Sequence, residues 1–114
     1  MTVKDLTNLC NFEILHLGNP DAEVTQPYCC DLLSIAMGNA PAGCAWCTVM
    51  SNMNTLAVAT LADAACIILC CNANADENMK LKAVSESMNL LRTNQAIFET
   101  ALEVYKKINA DTLV

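Results

Sequence analysis

Apolar residues come along this chain in short blocks. The longest unbroken one is Ala64-Ala65-Cys66-Ile67-Ile68-Leu69-Cys70-Cys71, which has no polar face. A run this short and this uniformly apolar predicts a strand covered on both sides, as in a parallel sheet. Asn72 to Asn74 then turn the chain, and a helical pattern begins near Asp76. Strand, polar turn and helix make the βα half of a βαβ unit. Ligands of open α/β sheets gather where strands end and helices begin. Cys70-Cys71-Asn72 is therefore the first place to look for function.

The other blocks fit around that strand. Thr2 and Asp5 have capping-box spacing ahead of a short helix with Val3, Leu6 and Cys10 on one face. Phe12 to Leu17 predicts a first strand, closed by the turn Gly18-Asn19-Pro20-Asp21. Val24 to Cys30 is a second extended segment, and Pro27 argues against a central place for its whole length, because proline donates nothing to a ladder. Asp31 is placed to cap a helix over Leu32 to Met37, which Gly38-Asn39 would end in a left-handed turn. Cys44 to Met50 predicts a third strand, and Ser51 to Asn54 a turn that caps a small-residue helix over Thr55 to Ala62.

Asn74 to Glu77 has capping-box spacing for a helix with Leu81, Val84 and Met88 inside and Lys80, Lys82 and Glu86 mostly outside. Asn89 to Arg92 predicts the last strand. Asn94 is placed to cap a final helix striped by Ile97, Phe98, Ala101, Leu102, Tyr105 and Ile108. The order α-β-β-α-β-α-β-α-β-α with right-handed crossovers gives a three-layer α/β/α fold. Its sheet is mostly parallel, of four or five strands. One domain is expected over residues 1–109, with residues 110–114 a frayed tail.

Composition adds two points. Hydrophobic residues make up 54% of the chain and charged ones 16%, too little charge to cover a small domain, so a homodimer is expected to hide the surplus apolar surface. The net charge of −6, with Lys106-Lys107 the single adjacent basic pair, argues against nucleic acid and against anionic membranes as partners. No stretch approaches the ~18–20 apolar residues needed to span a bilayer. Met1-Thr2-Val3-Lys4-Asp5 does not read as a signal peptide, so a cytoplasmic location is expected.

Candidate chemistry is sparse. Glycine occurs only at positions 18, 38 and 43, which leaves no room for a phosphate-binding GxxxxGK loop or a GxGxxG turn. Cys44-Ala45-Trp46-Cys47 has redox spacing, but on a strand residues i and i+3 face opposite sides, so packing is the favoured reading. Most of the eight cysteines are expected to be reduced and buried. Cys29-Cys30 and Cys70-Cys71 each end a predicted strand, so Cys29, Cys30, Cys70 and Cys71 form an alternative thiol or soft-metal site, with packing again favoured. Asp21 and Glu23 mark a polar edge beside the second segment. His16 is the lone histidine and the weakest candidate, as a catalytic base. No cofactor is indicated.

At Cys30-Asp31-Leu32-Leu33-Ser34, Met37-Gly38-Asn39-Ala40, Gly43 and Trp46-Cys47-Thr48 the sequence resembles the DRTGG domain family. It looks closest to small stand-alone members labelled HPr-serine-kinase-like. The likeness continues through Leu56 to Leu69 and Leu91-Arg92-Thr93…Phe98-Glu99, spanning about Thr2 to Tyr105. It implies a compact α/β regulatory domain, similar to the N-terminal domain of HPr kinase/phosphorylase, that often pairs with itself and is not the kinase. By spacing, the family's Asp-Arg falls on Asn52-Met53 and its Thr-Gly-Gly on Cys70-Cys71-Asn72. Both signatures are absent, so the ligand-binding edge is degenerate. On this reading a small nucleotide or phosphate-type molecule would meet Asn52, Asn54, Cys70, Cys71, Asn72 and Thr93, with Asp31 and Ser51 nearby. Backbone N–H groups of the helices after Ser51 and Asn74 would hold an anion.

Overall fold

In a computed structural model, which describes residues 1–110, the apolar run around Ile67 forms the middle of a five-stranded sheet. The final residues of the expected tail, 111–114, lie outside the described residues. The elements are α1 (Val3–Leu9), β1 (Glu13–His16), β2 (Gln26–Cys29), α2 (Leu33–Asn39), β3 (Cys44–Thr48), α3 (Met53–Leu61), β4 (Cys66–Leu69), α4 (Glu77–Ser85), β5 (Asn89–Arg92) and α5 (Ile97–Ile108). The sheet order is β1-β5-β4-β3-β2, parallel except where β1 runs antiparallel to β5. The expected α/β fold with a mostly parallel sheet is the observed one.

Every side chain from Cys66 to Cys70 is fully buried, as a strand with helices on both faces requires. Ile67 and Leu69 face α2, α3 and α4, packing with Trp46, Leu56, Met79 and Leu90. Cys66, Ile68 and Cys70 face α1 and α5, packing with Val3, Leu6, Leu91 and Val104. Pro27 sits in β2, which pairs only with β3; a proline at the sheet's edge costs no ladder bond. Gly18 is required by packing: a Cβ there would lie 2.2 Å from the Ser87 carbonyl carbon.

Several local expectations are corrected. Asp31 does not cap α2, whose N-cap position is Leu32 with no side-chain bond. Its carboxylate instead accepts from Thr48 Oγ1 (2.7 Å) and Val49 N (3.0 Å), two donors that the end of β3 brings together. Gly38 and Asn39 lie inside α2, which ends at Ala40 in extended backbone, so no left-handed turn forms there. The cap of α4 is Asp76, accepting from Met79 N at 2.7 Å, and not Asn74. Asn94 does not cap α5, which starts after Ala96 without a side-chain cap.

Two helix faces also differ. The buried side of α4 is Met79 and Ala83, while Leu81 and Val84 are exposed. Met79 and Ala83 stand four residues apart on one side of the helix and pack with Leu56 and Ile67, which leaves Leu81 and Val84 outside. The α5 stripe divides: Thr100 and Val104 are buried, whereas Phe98, Leu102 and Tyr105 remain exposed.

Candidate functional site

The parallel strands β2, β3, β4 and β5 all finish at one rim of the sheet. The segment that stands out there is Cys70-Cys71-Asn72-Ala73. Cys71 and Asn72 have φ of 54° and 60°, two consecutive left-handed residues, neither of them glycine. Ala73 N donates to Cys70 O at 3.1 Å, so the four residues close a tight turn of the primed kind, with positive φ at both centres. Left-handed backbone costs an L-residue roughly 1 kcal/mol or more; Asn tolerates it better than Cys.

The turn is held on every side. Cys71 N donates to Gln95 O (2.8 Å) and Asn72 N to Thr93 O (2.9 Å). Arg92, at the end of β5, donates from Nη2 to Asn72 O (2.8 Å) and from Nε to Ala73 O (3.0 Å). Its Nη1 lies 3.5 Å from Glu13. Arg92 was not among the sequence candidates. The signal for it was present: it is the only arginine of the chain and it directly follows the apolar pair Leu90-Leu91 at a strand end.

The candidates named from sequence divide into two groups. Ser51, Asn54, Cys71 and Asn72 lie at the rim, the last three exposed and Ser51 half-buried. Ser51 O and Asp76 N approach to 3.5 Å, which brings the loops after β3 and β4 together. The others are committed to structure. Asn52 caps α3, accepting from Asn54 N (2.9 Å) and Thr55 N (3.3 Å). Thr93 is buried, its hydroxyl accepting from Gln95 N at 3.2 Å. Asp31 braces β3 as described, and Cys70 is fully buried. The helix starts expected to hold an anion are therefore already closed by Asn52 and Asp76. The first turn of α3 also holds Thr55, whose buried hydroxyl has no hydrogen-bond partner.

The four cysteines of the alternative site do not converge. Cys30 packs on the α3 side of the sheet, and its thiol donates to Leu32 O at 3.3 Å. Cys71 stands out on the turn, and among the described residues no group of three or more His, Cys, Asp or Glu side chains is arranged for a metal ion. A different trio forms. Cys29 and Cys47 are direct partners across β2 and β3, and Cys47 lies within hydrogen-bonding reach of both the Cys29 and Cys70 thiols. The Cys47 hydrogen bond lowers the Cys29 thiol to about 7, against burial and the nearby Asp31 carboxylate, which act to raise it. Cys47 itself is pushed far up, first by giving those hydrogen bonds and then by burial. Cys44 lies on the opposite face from Cys47, as the strand geometry of that CxxC implied.

A cavity of about 550 Å³ opens at the other end of the sheet, lined by Glu23, Asp63, Glu86, Ser87 and Asn89 among others. A second, about 430 Å³, lies between α1 and α5. Neither includes a rim residue or His16. The first is walled by three carboxylates and by the carbonyl ends of α3 and α4, an environment that repels anions.

No family model matches the chain, and no curated protein matches it at a significant level. Among solved structures, a matching one holds the CBS and DRTGG domains of the regulatory region of Clostridium perfringens pyrophosphatase, complexed with activator, diadenosine tetraphosphate. The TM-score is 0.68 over 90% of this chain, with 9% sequence identity. This chain spans 45% of that one. At that identity the likeness is one of fold, of the CBS/DRTGG kind, and supports the sequence resemblance at that level. Among the described residues no helix is long and apolar enough to cross a membrane.

Proposed function

We propose that this chain is a non-catalytic regulatory domain of the DRTGG type that senses a small molecule at the rim and works as a homodimer. The observation that carries the reading is the Cys71-Asn72 turn. The family's two glycines have been replaced, yet the left-handed backbone they would adopt is kept, at a cost, and is fastened by Arg92. Strain that the surroundings over-determine is characteristic of ligand-contact segments. The neighbour's bound diadenosine tetraphosphate supports a nucleotide class.

The chemistry of this rim narrows that class. Ser51, Asn54 and Asn72 present hydroxyl and amide groups to solvent, and the one guanidinium present is already committed to two carbonyls. Such a set reads a base edge or a ribose hydroxyl better than a chain of phosphates. The ligand is a nucleoside or a nucleotide held by its nucleoside end. Dimerisation is supported by the exposed apolar residues of two helices: Leu32, Ile35 and Met37 in or beside α2, and Phe98, Leu102 and Tyr105 in α5.

Thermal melting with adenosine, diadenosine tetraphosphate and inorganic phosphate tests the ligand. At ten times Kd a ligand adds about 1.4 kcal/mol, a rise of roughly 4–10 °C for a domain of this size. The two adenosine compounds are expected to give it, phosphate is not, and Asn72→Ala removes it. No shift with any of the three overturns the proposal. Light scattering is expected to give twice the 12.3 kDa of one chain; a monomer at micromolar concentration removes the dimer.

A further inference from the structure

Edge strand β2 carries an exposed cysteine, Cys29, directly opposite a fully buried one, Cys47, on β3. Their side chains share the α5 face of the sheet. Neighbouring strands lie about 4.8 Å apart, inside the Cα separation of roughly 4.4–6.8 Å that a disulfide accepts. The other exposed cysteine, Cys71, stands on the turn without such a partner, and the half-buried Cys30 faces the other layer. We propose that Cys29 and Cys47 are a peroxide-responsive thiol pair, in which Cys29 is oxidised first and Cys47 resolves it to a disulfide that ties β2 to β3.

The chemistry balances with hydrogen peroxide as the two-electron oxidant. The Cys29 thiolate attacks one peroxide oxygen; the S–O bond forms, the O–O bond breaks, and the departing hydroxide takes up the proton Cys29 released. Cys29 is then a sulfenic acid and one water has formed. The Cys47 sulfur attacks the Cys29 sulfur; the S–S bond forms, the S–O bond breaks, and hydroxide leaves with the Cys47 proton as a second water. Cys47, which holds the Cys29 thiol below its usual value, is thus also the group that later attacks it. A bridge between adjacent parallel strands sits near the short end of the accepted range, which makes it easily reduced and so reversible. Two residues beyond Cys29, Asp31 braces the end of β3, so the bridge would stiffen one side of the rim. The pair is independent of the ligand reading, and either stands if the other falls.

The test is oxidation of the reduced full chain by a small excess of hydrogen peroxide. Free thiols are expected to fall by two from the eight present, and dithiothreitol restores them. Cleavage before Asp21, Asp31 and Asp63 separates Cys29 and Cys30 from Cys44 and Cys47. The oxidised sample is expected to join peptide 21–30 to peptide 31–62. Cys29→Ser is expected to slow thiol loss roughly tenfold, the ratio of thiolate between a thiol near 7 and an ordinary cysteine at neutral pH, while Cys30→Ser and Cys71→Ser leave the rate unchanged. Cys47→Ala is expected to leave a dimedone-reactive sulfenic acid on Cys29. Should that core variant not fold, the peptide map and Cys29→Ser decide alone. Eight surviving thiols, a first bridge between other peptides, or a Cys29→Ser chain that oxidises at the parent rate each overturn the proposal.

Discussion

Where β4 and β5 begin, Asp63 and Ser87 hold φ of 58° and 53°; where β4 finishes, Cys71 and Asn72 hold 54° and 60°. At the first end each left-handed residue stops a helix. Ala64 N bonds Ala59 O and Asp63 N bonds Thr60 O, closing α3; Met88 N bonds Ala83 O and Ser87 N bonds Val84 O, closing α4. These are Schellman closures with Asp and Ser in the glycine position, and the helix carbonyls they satisfy offset the strain. At the other end no helix stops. The Cys71-Asn72 turn joins a strand to a helix, a junction that other backbone shapes serve, and Arg92 is recruited to hold it. Strain explained by helix termination needs no ligand. Strain without that explanation is what marks the rim, although the larger cavity lies at the opposite end.

The sharpest way to break this contrast is to cut each end of β5. Asn89 is buried at its start and makes three bonds, accepting from Asn19 N and donating to Asn19 O and Ala65 O. Asn89→Ala is expected to cost about 3 kcal/mol in urea unfolding, since three hydrogen bonds are lost and the buried Ala65 carbonyl loses this partner. Arg92→Ala frees two carbonyls that water reaches more easily, so the expected cost is about 2 kcal/mol, with ligand response lost as well. If Arg92→Ala leaves the ligand response intact, the rim is scaffold like the other end.

Alkaline titration sets the thiols at the strand starts against Cys29 at the rim. Burial raises Cys44, at the start of β3, from its usual 9 to about 11, and Cys66 moves up as well. Between pH 9 and 11 the unfolded chain loses the Cys44 proton and the folded chain keeps it, so stability is full below 9 and falls above it. The slope is about 1.4 kcal/mol per pH unit for each such thiol. Cys29 acts in the opposite sense: its folded value of about 7 lies below the usual 9, so it adds stability as pH rises from 7 to 9. Under reducing conditions, urea midpoints are expected to rise modestly to near pH 9 and then drop. Cys29→Ser reduces the rise, leaving the part that comes from Cys70, which Cys47 also holds below its usual value, and it leaves the drop; a drop starting below pH 8 contradicts the assignment.

Much of this fold was legible because its signals are local. The run from Cys66 to Cys70 admits no face to water, Pro27 argues against a central strand and its strand lies at the edge, and Thr2 with Asp5 does form its capping box. The misses share a cause. Asp31, Asn74 and Asn94 look like caps in one dimension, but a cap competes with every other donor that the fold brings near. Thr48 and Val49 won Asp31 from across the sheet. Glycine was only a partial guide to left-handed backbone: Gly43 takes a positive φ, but Gly38 lies inside a helix, and Asp63, Cys71, Asn72 and Ser87 take the other positive φ values. The candidate site is legible in the sequence as a place, the rim where strands end, and its contacts are not. Strand ends pointed to the rim, yet Arg92 and Cys47 act through neighbours on other strands, which spacing along the chain does not reveal.

The smallest effect asked for here is the most discriminating. Ser87→Gly and Cys71→Gly each remove a left-handed L-residue, at the price of extra freedom in the unfolded chain. The net gain expected is about 0.5 kcal/mol in both, read from urea midpoints at constant slope. Stability alone therefore does not tell the ends apart; binding does. Ser87→Gly relaxes a helix terminus far from the rim and is expected to leave the melting response to adenosine as in the parent. Cys71→Gly loosens the turn that presents Asn72, so the folded chain must order that loop again when ligand arrives, and the response is expected to shrink while the unliganded protein melts slightly higher. Opposite movement of stability and affinity in one variant is what a strained recognition loop requires. Parallel movement, or none at the rim and some at Ser87, would make the two ends equivalent.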